Sequence, residues 1–216
     1  MANKNVKAAP QVEQQVTKTE AFFEKNKKAI ISAVVAIIVI VVGAILINNY
    51  YLEPHANEAS TELAKSQELF DEQQYDKALA GFQKVASDYS STDAGNLAQL
   101  YIGLCQANLG KWQEAANALE SFSTMDDQMI SPAVEGALGN AYANLKQLDK
   151  AVDHLKKAAK MADNNSLSPT FLIQAGQILE SQGKKGEALE LYQEVKEKYF
   201  NSMQYQTIDA YIERCK

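Results

Sequence analysis

Histidine is nearly absent from this chain, and most of the chemistry it supports goes with it. Only His55 and His154 occur in 216 residues, and neither has the spacing to Cys, Asp or Glu that a metal site uses. His55 follows the apolar run described below, and His154 stands beside Lys156 and Lys157, where it is expected to be exposed. Cysteine is as scarce: Cys105 falls inside an apolar helical pattern and reads as a small apolar residue, while Cys215 is penultimate. Gly183-Lys184-Lys185-Gly186 lacks the full spacing of a phosphate loop, and Asp126-Asp127 is an isolated acidic pair. No cofactor, metal or small-molecule substrate is expected, and the chain does not read as an enzyme. Basic charge is short too, with 21 Lys and Arg against 27 Asp and Glu and a net charge of −6. That leaves no basic footprint for nucleic acid and suits a solvated surface. Proline occurs four times, with Pro10 before the apolar run and Pro54 just after it, which favours long helices elsewhere.

What is present begins with residues 29–47, AIISAVVAIIVIVVGAILI, a run of 19 residues without a charge. At roughly 1.5 Å per residue it reaches about 28 Å, one hydrocarbon core. Six lysines (Lys4, Lys7, Lys18, Lys25, Lys27, Lys28) precede it against three glutamates, and no Lys or Arg follows until Lys65. The positive-inside rule puts residues 1–28 in the cytoplasm and the bulk of the chain across the membrane. Phe22, Phe23, Tyr50 and Tyr51 stand where interfacial anchors would. The run exceeds the apolar core of about 7–15 residues of a cleaved signal peptide, and no small-x-small site follows it, so it reads as a signal-anchor spanning 29–48. Ser32, Ala36 and Gly43 offer small residues on which a second transmembrane helix can seat. Residues 12–28 are partly helical in period and extend that helix, while 1–11 read as disordered.

After a stalk at 49–58 one pattern recurs four times: Gln73-x-Tyr75-x-x-Ala78, Gly110-x-Trp112-x-x-Ala115, Lys146-x-Leu148-x-x-Ala151 and Gly183-x-Lys185-x-x-Ala188. The alanines lie 37, 36 and 37 residues apart. Apolar residues at helical spacing flank each match, so every unit is two antiparallel helices around a short turn. The alanine is small because two helices touch there. A glycine before the turn accepts the left-handed conformation that ends the first helix. Gly103, Gly139 and Gly176 occupy equivalent places of close approach, and unit one has Lys65-Ser66 instead.

These units resemble the tetratricopeptide repeat (TPR), whose period is about 34 residues, with inter-repeat loops two or three residues longer here. The loops are expected at 87–93, 123–131 and 162–168, with Pro132 and Pro169 at the starts of first helices. The fold class is therefore all-α: an N-terminal transmembrane helix, then a TPR-like solenoid of about four helix pairs (59–95, 96–131, 132–168, 169–202) and a capping helix at 203–216. The competing fold is a generic helical bundle, which four phased matches argue against. In such repeats the first helices line a concave groove. The residues projected onto it include Phe70, Leu97, Leu100, Leu104, Asn108, Asn140, Asn144, Ile173 and Gln177, with Thr170 and Glu180 in unit four, and no Lys or Arg. A clamp for a peptide's terminal carboxylate would need basic side chains there. A mixed apolar and amide face suits extended or unfolded polypeptide, or a partner's helix. The alternative is that the unit-two leucines simply pack against neighbouring helices.

The architecture also resembles the YfgM-type ancillary subunit of the bacterial SecYEG translocon. The likeness rests on Glu20-Ala21-Phe22-Phe23-Glu24, the Lys-Asn-Lys-Lys-Ala of 25–29, one span, and the exit into Ala56-Asn57-Glu58-Ala59-Ser60. The resemblance implies a single-pass inner-membrane protein with periplasmic repeats. It further implies association with the translocon and a PpiD-type membrane chaperone, and help to unfolded exported polypeptides. A different class of function is a scaffold holding folded subunits of an envelope or division complex. An organelle import receptor with cytosolic repeats would need the opposite topology, against the lysine asymmetry.

Overall fold

The computed structural model describes the backbone from residue 9, and side chains from residue 20, through Lys216. Lys4 and Lys7, and the part of the expected disordered stretch covering 1–8, lie outside the described residues. Among the described residues there is no strand. The chain divides into two units, Met1–Pro54 and His55–Lys216.

The first unit is dominated by helix α1, Ala9–Ile47. Residues 9–11, expected to be disordered, are helical, and the helix runs unbroken through 12–28 into the apolar run. A single π-helical segment, Asn48–Leu52, follows. The apolar side chains of α1 stand exposed, with Val39 at 64% and Ile40 at 69%. Leaving an Ile or Val in water forgoes about 1.5–3 kcal/mol relative to burial, so a row of them calls for a lipid or protein environment. This is one helix long and apolar enough to cross a membrane.

The second unit is four helix pairs: α2 (Glu53–Asp71) with α3 (Tyr75–Asp88), α4 (Asp93–Asn108) with α5 (Trp112–Glu120), α6 (Ile130–Asn144) with α7 (Leu148–Ala162), and α8 (Ser168–Ser181) with α9 (Lys185–Lys198). A 3-10 turn, Met203–Gln206, and helix α10, Ile208–Cys215, close the array. Helices α3 to α10 pack in chain order, and α4 also touches α6, which sets these two first helices side by side.

The repeated pattern has a physical basis at each position. Gln73, Gly110, Lys146 and Gly183, its first residues, all take positive φ, at 60°, 75°, 62° and 75°. Each turn closes with the same pair of backbone bonds; Gln74 N–H donates to Leu69 O at 2.9 Å, as Lys111 does to Gln106 O (2.8 Å), Gln147 to Tyr142 O (2.9 Å) and Lys184 to Leu179 O (2.9 Å). This satisfies carbonyls that the end of a helix would otherwise strand. Ala78, Ala115, Ala151 and Ala188 are all fully buried. A Cβ on Gly139 would lie 2.6 Å from Leu155 Cγ, and one on Gly103 would lie 2.4 Å from Leu119 Cγ, so these pairs approach on bare backbone. In the first pair the small residue has changed helix: Ser66 is buried on α2, and Gly81 on α3 makes room for its hydroxyl.

The inter-repeat loops are pinned by short polar side chains. Thr92 caps α4 by accepting from Gly95 N–H at 3.0 Å. Asp127 accepts from the backbone N–H groups of Met129 (2.7 Å) and Ser131 (3.0 Å), and from that of Ile130. Partial burial pulls its carboxyl up, but the bonds from Ser131, Met129 and Ile130 outweigh this and hold it below the usual carboxylate range. The acidic pair is thus half a helix cap. Pro169 is the second residue of α8 and Pro132 the third of α6, both in the first turn, since α6 starts at Ile130, one residue before its Ser-Pro pair.

Candidate protein-interaction surface

The first helices place equivalent residues at intervals of 37, 36 and 37, as the repeat requires. The apolar candidates in this register are drawn into the packing. Leu100 and Ile173 are each 8% exposed, and Leu97 and Leu104 are half-buried against the cluster of Leu119, Val134 and Leu138. Phe70 packs edge-on against Tyr75 (5.4 Å between ring centres) and Tyr101 (5.7 Å). The amides Asn108, Asn140, Asn144 and Gln177 remain exposed on that face. Two of them turn back on their own helices: Asn108 Nδ2 donates to Leu104 O at 2.8 Å, and Asn144 Nδ2 to Asn140 O at 2.9 Å. Their Oδ1 atoms stay available as acceptors.

Two projected residues are occupied by the C-terminal segment. Glu180 Oε1 accepts from Arg214 Nη2 at 3.0 Å and from the buried Tyr192 hydroxyl at 2.5 Å. Burial, with Glu180 adding to it, pushes the Tyr192 phenol far above its ordinary value. Thr170 Oγ1 accepts from Gln204 Nε2 at 2.9 Å. Lys185, where the other repeats have Tyr75, Trp112 and Leu148, donates to Arg214 O at 2.8 Å and helps hold α10. The sequence held no local signal for these long-range ties.

His154 is not exposed as expected. It is half-buried, its Nδ1 lies 2.8 Å from Glu135 Oε2, and its ring stacks on Tyr142 at an interplanar angle of 14°. Glu135 is 7% exposed and also takes Lys157 Nζ at 2.7 Å. The Tyr142 hydroxyl donates to Glu120, a bond that, with burial, pushes its pKa up to about 12. The i, i+3 spacing of His154 and Lys157 on α7 was readable; that both face Glu135 on α6 was not. Cys105 and Cys215 are free and buried in different clusters, at opposite ends of the array. Among the described residues no three His, Cys, Asp or Glu side chains gather as metal ligands would.

The tetratricopeptide repeat-like domain profile matches residues 20–212. This chain is a tetratricopeptide repeat-like protein. No curated protein matches it in sequence. Among solved structures, it is similar to a Podosopora anserina protein described as a kinesin light chain with nearly identical TPR-like repeats, at 15% identity and a TM-score of 0.59, covering 74% of this chain and 86% of that one. It is also similar to the MamA protein at 15% identity and a TM-score of 0.56, covering 73% of this chain and 89% of that one. At such identity the likeness is one of fold alone. The TPR fold is a protein-interaction scaffold.

In apolar α1, Ser32 Oγ donates to its own Ala29 O at 2.9 Å. Ala36 is exposed, and nothing lies within 4 Å of a Cβ built on Gly43. The small-residue positions are open to a neighbour.

Proposed function

We propose that this protein is a single-pass TPR-like interaction module of the bacterial inner membrane, with its N-terminus in the cytoplasm and its repeats in the periplasm. It associates with the SecYEG translocon and a PpiD-like membrane chaperone through the span, and acts as a chaperone-like module toward exported polypeptides. The observation that carries the polypeptide reading is the row of exposed amides, Asn108, Asn140, Asn144 and Gln177, among first-helix residues that include no Lys or Arg, with Arg214 reaching that face only from α10 and spent on Glu180. Amides pair with any extended backbone and leave side-chain sequence unread, as a binder of diverse unfolded chains requires. The lysine asymmetry supports the orientation, and Ser32, Ala36 and Gly43 support a helix partner in the span.

A scaffold for a folded partner is the second reading. It is favoured by the burial of Leu100 and Ile173, which takes apolar anchors away from the first-helix face. Photo-cross-linking from Ala36 and from Asn140 in native membranes tests the two. Translocon and chaperone subunits at Ala36 with many exported chains at Asn140 is the expected result. One folded partner at both positions, unchanged by secretory load, would leave the scaffold. Replacing Lys25, Lys27 and Lys28 by Glu is expected to weaken or invert insertion, read by protease access to the repeats; unchanged topology would sink the charge argument.

A further inference from the structure

The chain is acidic, yet four of its lysines converge on one cavity of the outer face. Lys156, Lys157 and Lys160 of α7 and Lys198 of α9, with the two carboxylates Asp163 and Glu194, rim a depression of about 610 Å³ floored by Leu172 of α8 and Leu191 of α9. Lys157 is bound to Glu135 at 2.7 Å and Lys198 to Glu194 at 2.8 Å. Among the described residues Lys156 and Lys160 have no carboxylate in ion-pair contact; both are exposed and stand four residues apart on one side of α7, a like-charge spacing that disfavours the helix. The charge is local to this end of the domain: residues 53–131 carry four Lys against 13 Asp and Glu, whereas residues 132–168 carry five Lys against four. Phe200, next in the chain after the cavity-lining Tyr199, is 60% exposed. The cations of the rim stand on the second helices α7 and α9, whereas the amide row stands on the first helices α4, α6 and α8.

We propose that this cavity is a second protein-binding site, which takes an acidic peptide segment carrying one apolar side chain. The lysine rim holds the segment's carboxylates, Lys156 and Lys160 supplying the free charge, and the apolar side chain enters over Leu172 and Leu191. Charge complementarity selects such a segment over basic or neutral chains, a choice the amide row does not make. The proposal does not rest on the translocon reading; it requires only that the repeats are folded.

The test uses the full chain in non-ionic detergent and a fluorescein-labelled peptide of alternating Glu and Asp around one central Leu, read by anisotropy. The acidic peptide is expected to bind and to weaken as salt is raised, while its Gln and Asn counterpart binds about tenfold more weakly or less, and without that salt dependence. Lys156→Glu with Lys160→Glu is expected to reduce affinity about tenfold. The same charge change at Lys84→Glu with Lys111→Glu, on other repeats, leaves it unchanged. Circular dichroism confirms that both double variants are folded. Equal binding of the two peptides, equal loss in the two variants, or no binding overturns the proposal. So does displacement of the peptide by monomeric dihexanoylphosphatidylglycerol, which would assign the lysines to a lipid headgroup. Self-association abolished by Lys156→Glu with Lys160→Glu would give the cavity to a second copy of this chain, and overturns it equally.

Discussion

Relieving the backbone at Gln73 and Lys146 should stabilise the array, and the four repeats supply their own controls. Both residues hold the left-handed conformation, at φ of 60° and 62°, in the place where the other two turns have Gly110 and Gly183 at 75°. An L residue pays about 1–2 kcal/mol for that region. Glycine removes this cost but gains unfolded-state freedom worth about 0.4–1 kcal/mol. The net gain is about 0.5–1 kcal/mol for Gln73→Gly and the same for Lys146→Gly. The sites lie two repeats apart, so the double variant should gain about 1–2 kcal/mol, or roughly 3–6 °C in Tm for a domain of this size. Both side chains are exposed, and the backbone bonds that close the turns survive the change. Gly110→Ala and Gly183→Ala should lose about 1 kcal/mol each. Lys146→Ala, which trims the same side chain without relieving φ, should stay within about 0.5 kcal/mol of the parent. Urea unfolding of the full chain in detergent, followed by far-ultraviolet circular dichroism, reads each as a midpoint shift at constant slope. A gain for Lys146→Ala equal to that for Lys146→Gly would refute the reasoning, since the side chain and not the dihedral would then be the cause.

The packing and the polar contacts set four further outcomes. Gly139→Ala is expected to destabilise by about 1 kcal/mol net, because overpacking against Leu155 exceeds the gain in helix propensity. Gly186→Ala, with nothing within 4 Å, should instead stabilise by about 0.5–1 kcal/mol in the same melts. Asp127→Ala should cost about 1 kcal/mol at neutral pH. The folded carboxyl titrates below its ordinary 3.8, so that stabilisation is complete above 3.8 and vanishes as the pH falls through the lower folded value. Melts of parent and variant should therefore converge in acid, and a difference that persists there would show that something other than the charged cap is lost. Burial pushes the Cys105 thiol up to about 11 and raises Cys215 as well. The native chain should thus resist a maleimide that labels both thiols once urea is added, and fast native labelling of Cys105 would contradict its burial.

Local pattern carried most of the architecture. Four phased motifs and one uncharged run of 19 residues are enough to read an apolar N-terminal helix, four helix pairs and a capping helix. The reason is that helix period, turn residues and small contact residues act over a few positions of chain, and a repeat states them four times. Side-chain partnership across the array was not legible. That Glu135 collects His154 and Lys157, and that Glu180 is taken by Arg214 and Tyr192, depend on which faces meet after folding. Leu100 and Ile173 show the same limit: spacing put them on the first-helix face, and packing decided that they serve the core. The lysine cavity is the clearest case. Lys156 and Lys198 lie 42 residues apart in the chain, and only the stacking of α7 on α8 and α8 on α9 brings them to one rim.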